Sequence, residues 1–241
     1  MDLAAGWTAV VERVRPGSAL AELGLPDAAV WGALGAGVLA VAVPPLWRLL
    51  RVVVTVVHEL GHAVVGVLAG RSFTGLVLRP DMSGHAVTVG RSRGPGRVAT
   101  TWAGYPAPAL VGAGVVAAAA AGWAPPVLLT TVLLLAGGLL RARSAYTVLV
   151  MLVAVGGTGW LWWAGSDRLQ GLVLLAVGVM LVLGAWRHLA AVVRSPDAGS
   201  DPAVLARITP LPRVVWTASF VLVLAAAAWL AGDRVWELVV R

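Results

Sequence analysis

From Val52 to Gly70 the chain reads VVVTVVHELGHAVVGVLAG. As a helix this stretch rises about 1.5 Å per residue and reaches roughly 28 Å, close to the hydrocarbon thickness of a bilayer. A backbone in lipid has to satisfy its own N–H and C=O groups, so the run predicts a membrane helix. His58, Glu59 and His62 lie inside it. Ionisable groups at that depth are costly and mark a site.

The rest of the chain belongs to the same environment. Of 241 residues, 59% are hydrophobic and 12% charged, with a mean hydropathy of +0.89. That balance excludes an ordinary soluble domain and predicts one all-α polytopic membrane domain over residues 1–241. The net charge of +7 comes from 18 basic residues, all arginine, placed between apolar segments. This placement fits anionic lipid and membrane topology, and no nucleic acid is expected as a partner. The chain has no cysteine, so a metal must be held by nitrogen and oxygen.

Residues four apart lie on one face of a helix, so His58 and His62 can grip a single ion with Glu59 beside it. His-Glu-x-x-His on a helix is a zinc-hydrolase arrangement. The two imidazoles bind Zn²⁺, which brings the pKa of a water down to about 7, and the glutamate takes its proton and passes it to the leaving amine. The competing structural reading is a packed polar cluster facing other helices.

Taken in order, residues 1–27 are too polar for a signal peptide. Leu3, Trp7, Val10, Val11 and Val14 share one helical face opposite Glu12, Arg13 and Arg15, which predicts a short helix at the membrane surface; a disordered leader is the alternative. Apolar spans are expected at Ala28–Val43, Leu46–Gly70, Val98–Gly122, Pro126–Leu140, Tyr146–Ala164, Leu169–Trp186 and Val214–Ala231, about seven in all, or six. Ser72 to Gly90 has β-branched runs on either side of Pro80-Asp81-Met82-Ser83-Gly84, which predicts a β-hairpin at the mouth of the site. Its edge can pair with an unwound substrate segment, or it can serve as a plain connection. Prolines and glycines near the start of the third span, Gly104, Pro106, Pro108, Gly112 and Gly114, predict close packing against the His-Glu-x-x-His helix and free backbone groups that need partners. A long late loop runs from Arg187 to Arg213.

HELGH in a membrane helix, then a short glycine-rich extended segment, then AGYPAPALVG opening the next helix, resembles the site-2 protease family of intramembrane zinc metallopeptidases, in particular its small bacterial branch without a PDZ domain. The resemblance covers about Arg48 to Trp216. It implies one Zn²⁺ held by His58 and His62, Glu59 as the catalytic acid–base, a membrane-protein substrate cut within or near its transmembrane segment, and a bacterial-type cell membrane as the location. It also suggests regulated intramembrane proteolysis. Two other functions compete: a metal-binding transporter or sensor, and an inactive relative that binds membrane clients. In the best-known branches the third ligand is an aspartate of an Asn-Pro…Asp-Gly motif, which this sequence lacks. Asp81, Asp197 and Asp201 remain open, with His85 as a nitrogen alternative. Asp201 is preferred because SDPAVLARITPLPRVVW resembles a Ser-Asp-Ala…Thr…Pro…Trp segment of the same branch and leads into a helix able to fold over the site. Asp81 also suits a plain turn, and Asp201 a helix N-cap.

With seven spans, thirteen arginines share a side with the N-terminal segment: Arg13, Arg15, five in residues 71–97, Arg141, Arg143, Arg187, Arg194, Arg207 and Arg213. Arg48, Arg51, Arg168, Arg234 and Arg241 take the other. The excess predicts a cytoplasmic N-terminus and an extracytoplasmic Arg241. A topology reporter fused at Arg241 is expected to read as extracytoplasmic; activity only in the cytoplasm would contradict it.

Overall fold

The computed structural model describes residues 10–194 and 197–240. Leu3 and Trp7 of the expected surface helix, Ser195, Pro196 and Arg241 lie outside the described residues. Within them the chain is mostly helical: α1 (Asp27–Ala42), α2 (Pro44–Leu68), α3 (Pro95–Trp102), α4 (Pro106–Ala120), α5 (Ala124–Leu139), α6 (Ala145–Ala164), α7 (Asp167–Arg194), α8 (Asp201–Ile208) and α9 (Arg213–Val239). Strands β1 (Ser72–Leu78) and β2 (Gly84–Val89) form the expected antiparallel hairpin.

Local chemistry sets these boundaries. Val43 is extended and Pro44 and Pro45 occupy the first turn of α2, where no N–H is needed. Gly70, at φ 74, ends that helix. Ser144 caps α6, its side chain accepting the Thr147 N–H. The described part of the N-terminal segment is packed against the bundle. Residues 10–14 are helical, the Arg13 guanidinium lies 4.7 Å over the Trp163 ring, and the Gly17 N–H donates to the Gly122 carbonyl at 2.8 Å.

Helices α2, α6, α7 and α9 are each long and apolar enough to cross a bilayer. The expected third span is two helices, α3 and α4, bent by 61° and together long enough for a fifth crossing. The bend falls where Pro106 cannot donate to the preceding turn. Helices α1 and α5 have 16 residues each, about 24 Å, less than a full hydrocarbon core. Helix length therefore supports four or five spans, and the expected seven is not reached.

Helix α7 is the central post. At its middle Gly178 meets Gly112 of α4: a Cβ on Gly112 would lie 2.7 Å from the Gly178 carbonyl oxygen and 2.9 Å from Leu181 Cβ, and one on Gly178 would lie 2.7 Å from Val116 Cγ2. This backbone approach closes the main apolar core, where Val116, Leu175, Leu205, Phe220 and Leu224 are fully buried. A second apolar group, Val56, Leu76, Leu78, Leu135 and Met151, sits under the hairpin. The outer edge of β1 is partly covered: Leu76 and Ala142 form a parallel bridge, with the Leu76 N–H on the Arg141 carbonyl and the Arg143 N–H on the Leu76 carbonyl. Gly112→Val is expected to cost about 1–3 kcal/mol through overpacking, read as a lower unfolding temperature in detergent, whereas Gly114→Ala, with nothing within 4 Å of its Cβ, should leave it unchanged.

Candidate metal centre

The break between α3 and α4 builds the site. The last four carbonyls of a helix have no intrahelical donor, and Thr100 lies in the last turn of α3. Its carbonyl oxygen instead contacts His62 Nδ1 at 2.7 Å. A carbonyl can only accept, so Nδ1 carries the proton and the lone pair stands on Nε2. His62 Nε2 lies 3.2 Å from His58 Nε2. Asp201 Oδ2, carried in by α8, is 3.3 Å from each of these nitrogens.

These three atoms make a nearly equilateral triangle. Ligands about 2.0–2.1 Å from a tetrahedral zinc stand roughly 3.3 Å apart, so the donors are already spaced for one ion. Asp201 Oδ2 is buried without a hydrogen-bond partner, the condition expected of an atom whose partner is a cation. Two imidazoles and a carboxylate suit Zn²⁺. Burial pushes the Asp201 carboxyl up, but the charge of His62 and His58 beside it outweighs this and holds it well below the usual carboxylate range. That pull belongs to protonated imidazoles; with both Nε2 lone pairs free, a cation in the triangle would take its place.

The hairpin fixes Glu59. The Ala86 N–H of β2 donates to Glu59 Oε2 at 2.7 Å, and the residue is 6% exposed. A Cβ at Gly84 would lie 2.8 Å from Glu59 Cγ and 2.9 Å from Thr55 Cγ2, so glycine lets the strand reach α2 here. Tyr105 braces the other flank: its ring meets the His58 ring edge-on at 4.9 Å and stacks on Phe220 at 5.2 Å. A cavity of about 220 Å³ opens among His58, Glu59, His62, Asp201, Tyr105 and Arg97, with Gly84, Ala86 and Thr88 along one wall. A second, of about 370 Å³, lies among His58, Glu59, Arg51, Asp81 and His188.

Of the candidates for a third donor, the structure brings Asp201 to the histidines and holds the others away. His58, His62 and Asp201 are the group of metal-competent side chains found among the described residues. Asp81 is a turn former: its Oδ1 accepts the Ser83 N–H at 3.0 Å and the Ser83 hydroxyl at 2.7 Å, bonds that lower its pKa. The Asp197 carbonyl accepts the Ser200 N–H at 3.2 Å and its side chain stays outside the cluster. His85 lines the first cavity from β2 without joining the three donors. Ser200 takes the N-cap position, so Asp201 is the first helical residue and not the cap. The sequence reading did not find Thr100, Tyr105 or the Ala86 N–H, and it found Gly104 as a close-packing position without placing the imidazoles there. The Gly104-Tyr105-Pro106 break was a signal for freed carbonyls, but not for which histidine would take one.

Gly104 is the residue most sensitive to size. A Cβ there would run into His62 Cε1 and Nε2 and lie 2.7 Å from His58 Cε1. Gly104→Ala is expected to weaken zinc binding about tenfold or more while the protein stays folded. Zinc titration beside Gly114→Ala checks this; unchanged affinity would show that the imidazoles yield freely.

Comparison with known proteins agrees with this geometry at the level of family. No curated protein and no solved structure matches the chain. The family model described as "Peptidase M50B-like" matches residues 31–232, a stretch that holds α2, the hairpin, α8 and all three donor residues. The chain belongs to the Peptidase M50B-like family, and so to the membrane metallopeptidases of the site-2 protease family.

Proposed function

We propose that this protein is an intramembrane zinc endopeptidase that hydrolyses peptide bonds within or near the transmembrane segments of other proteins. The observation that carries the reading is the triangle of His58 Nε2, His62 Nε2 and Asp201 Oδ2 with Glu59 beside it. His58, His62 and Asp201 would hold the ion. When bound, zinc supplies Lewis acidity, which makes water a nucleophile near neutral pH and polarises a carbonyl.

Everything else is done by the chain. Glu59, fixed through Oε2 by the Ala86 N–H, keeps Oε1 for the proton it takes from the nucleophilic water and hands to the leaving amine. The edge of β2 borders the first cavity at Gly84, Ala86 and Thr88, while β1 is engaged with residues 141–143. A substrate segment that unwinds can add to the β2 side, which exposes a peptide bond that a helix would shield. A bacterial-type cell membrane and a membrane-bound regulator as substrate follow from the family resemblance.

The test separates metal from chemistry. His58→Ala, His62→Ala and Asp201→Ala are expected to lose zinc and cleavage together, whereas Glu59→Gln should keep stoichiometric zinc and lose about 10²–10⁴-fold in turnover. Activity should fall as pH drops, because imidazole and carboxylate ligands must be deprotonated to hold metal. Full zinc in Asp201→Ala would remove it from the ligand set. Substrate-unbiased proteomics of membranes carrying wild type or Glu59→Gln provides the cleavage readout; a zinc-loaded wild type with no Glu59-dependent products would sink the proteolytic claim, and metal flux preserved in Glu59→Gln would favour a transporter.

A further inference from the structure

The larger of the two cavities, about 370 Å³, lies between α2, the hairpin turn and the last turns of α7. It shares His58, Glu59, Gly84 and Tyr105 with the smaller one. Along α2 the larger cavity is bordered by Arg51 and Thr55, which precede Glu59, and the smaller by His62, which follows it. An extended chain lying along α2 past Glu59 therefore occupies both.

Arg51 gives the larger cavity its charge. One Nη donates to the Asp81 carbonyl, while Nε is buried without a hydrogen-bond partner. Among the described residues no carboxylate stands within ion-pair distance of this guanidinium. The two acids bordering the cavity are engaged elsewhere: Asp81 Oδ1 accepts the Ser83 N–H and hydroxyl, and Glu59 Oε2 accepts the Ala86 N–H. A guanidinium is charged at every working pH. A charge partly withdrawn from water is costly until an anion meets it.

The rest of the wall suits the same kind of ligand. His188 faces the cavity from α7, its ring edge-on to Trp47 at 5.4 Å. It makes no hydrogen bond among the described residues, and a neutral imidazole has one N–H to donate. Met82, Ala191 and Val192 line the remainder with apolar surface. A fixed cation, a second donor and an apolar wall fit a short apolar stem that ends in a carboxylate, which is the side chain of aspartate or glutamate.

Arg51 stands seven residues before His58 on α2, about 10 Å along the axis. An extended peptide covers that distance in about three residues. We infer that the larger cavity is a subsite for an acidic residue: the Arg51 guanidinium, helped by His188, binds the carboxylate of an aspartate or glutamate about three residues from the scissile bond of the substrate segment. The inference rests on the peptidase reading of the centre and adds a substrate class to it. Ionisable groups are scarce in membrane segments, so one matched charge separates a few segments from the many without it.

The test reads binding without turnover. Two short labelled peptides of leucine, alanine and glycine, capped at both ends and identical but for one central Asp or Asn, are titrated onto the full-length Glu59→Gln protein by fluorescence anisotropy. The Asp peptide is expected to bind about tenfold tighter, through a charge-assisted bond to the guanidinium. With Arg51→Gln added, both should bind with the affinity of the Asn peptide; Arg51→Lys should keep part of the preference, which separates lost charge from lost fold. Equal affinities in the protein that retains Arg51, or no binding of either peptide, would overturn the inference. So would an equal loss for both peptides in Arg51→Gln, which would leave Arg51 as a clamp on the hairpin through the Asp81 carbonyl. Displacement of the Asp peptide by phosphatidylglycerol and not by phosphatidylcholine would assign the cavity to a lipid headgroup instead. The subsite can thus fail while Glu59-dependent cleavage stands, and an Asp preference with no Glu59-dependent products from wild type would sink the peptidase reading alone.

Discussion

The bond from His62 Nδ1 to the Thr100 carbonyl, 2.7 Å long, is the interaction on which the centre depends. It exists because a helix stops. Had the chain run unbroken from Pro95 to Ala120, the Thr100 carbonyl would have bonded four residues ahead and His62 would have lost its partner. With the break, one freed carbonyl sets a tautomer, and the tautomer turns Nε2 toward His58 and Asp201. Gly104 in the same break leaves room for both imidazoles. A deformation that would weaken an ordinary membrane helix here orients a candidate metal donor.

The hairpin solves a related problem for Glu59. A carboxylate in an apolar setting costs several kcal/mol unless it is hydrogen-bonded or paired. Strand β2 lies against α2 and offers an edge N–H from Ala86, which meets one oxygen. The interior of a helix could not do this, because its N–H groups are already bonded along its own axis. The β segment in an otherwise helical protein thus supplies an edge donor to the glutamate, and on the proposed reading the bordering edge takes an extended chain.

Legibility in the sequence followed the range of the interactions. His58, Glu59 and His62 were visible because they are four residues or fewer apart on one helix. The hairpin was visible because Pro80 to Gly84 is a local turn signal, and the strands fall within the expected segment. The proximity of Asp201 to the histidines depends on contacts across more than 130 residues, and no periodicity reports those; a resemblance of its loop pointed to it. The bend of α3 against α4 was written in Pro106, but its angle and its partner were not. Counting apolar runs assumes that each is one full crossing, whereas α1 and α5 have 16 residues each and the third run is two helices bent by 61°.

Helix α8 raises the question of why a ligand sits on a short helix rather than on a span. Its fully buried Leu205 packs into the main core, the Trp216 indole N–H donates to Thr209 Oγ1 at 3.1 Å, and Arg207 donates to the Ala198 carbonyl. Apolar packing and capping bonds therefore position Asp201, while the two imidazoles face its buried Oδ2, which has no hydrogen-bond partner. Neutral imidazoles repel a lone pair more than they attract it, so the carboxylate needs a cation in the triangle to offset its burial. On the proposed reading the consequence is a coupling: a bound ion would stabilise the seat of α8, and the seat of α8 would complete the site. A ligand on a membrane span would be held in place whether or not the ion was there; a ligand on α8 would make the docking of that helix and the occupancy of the centre parts of one equilibrium.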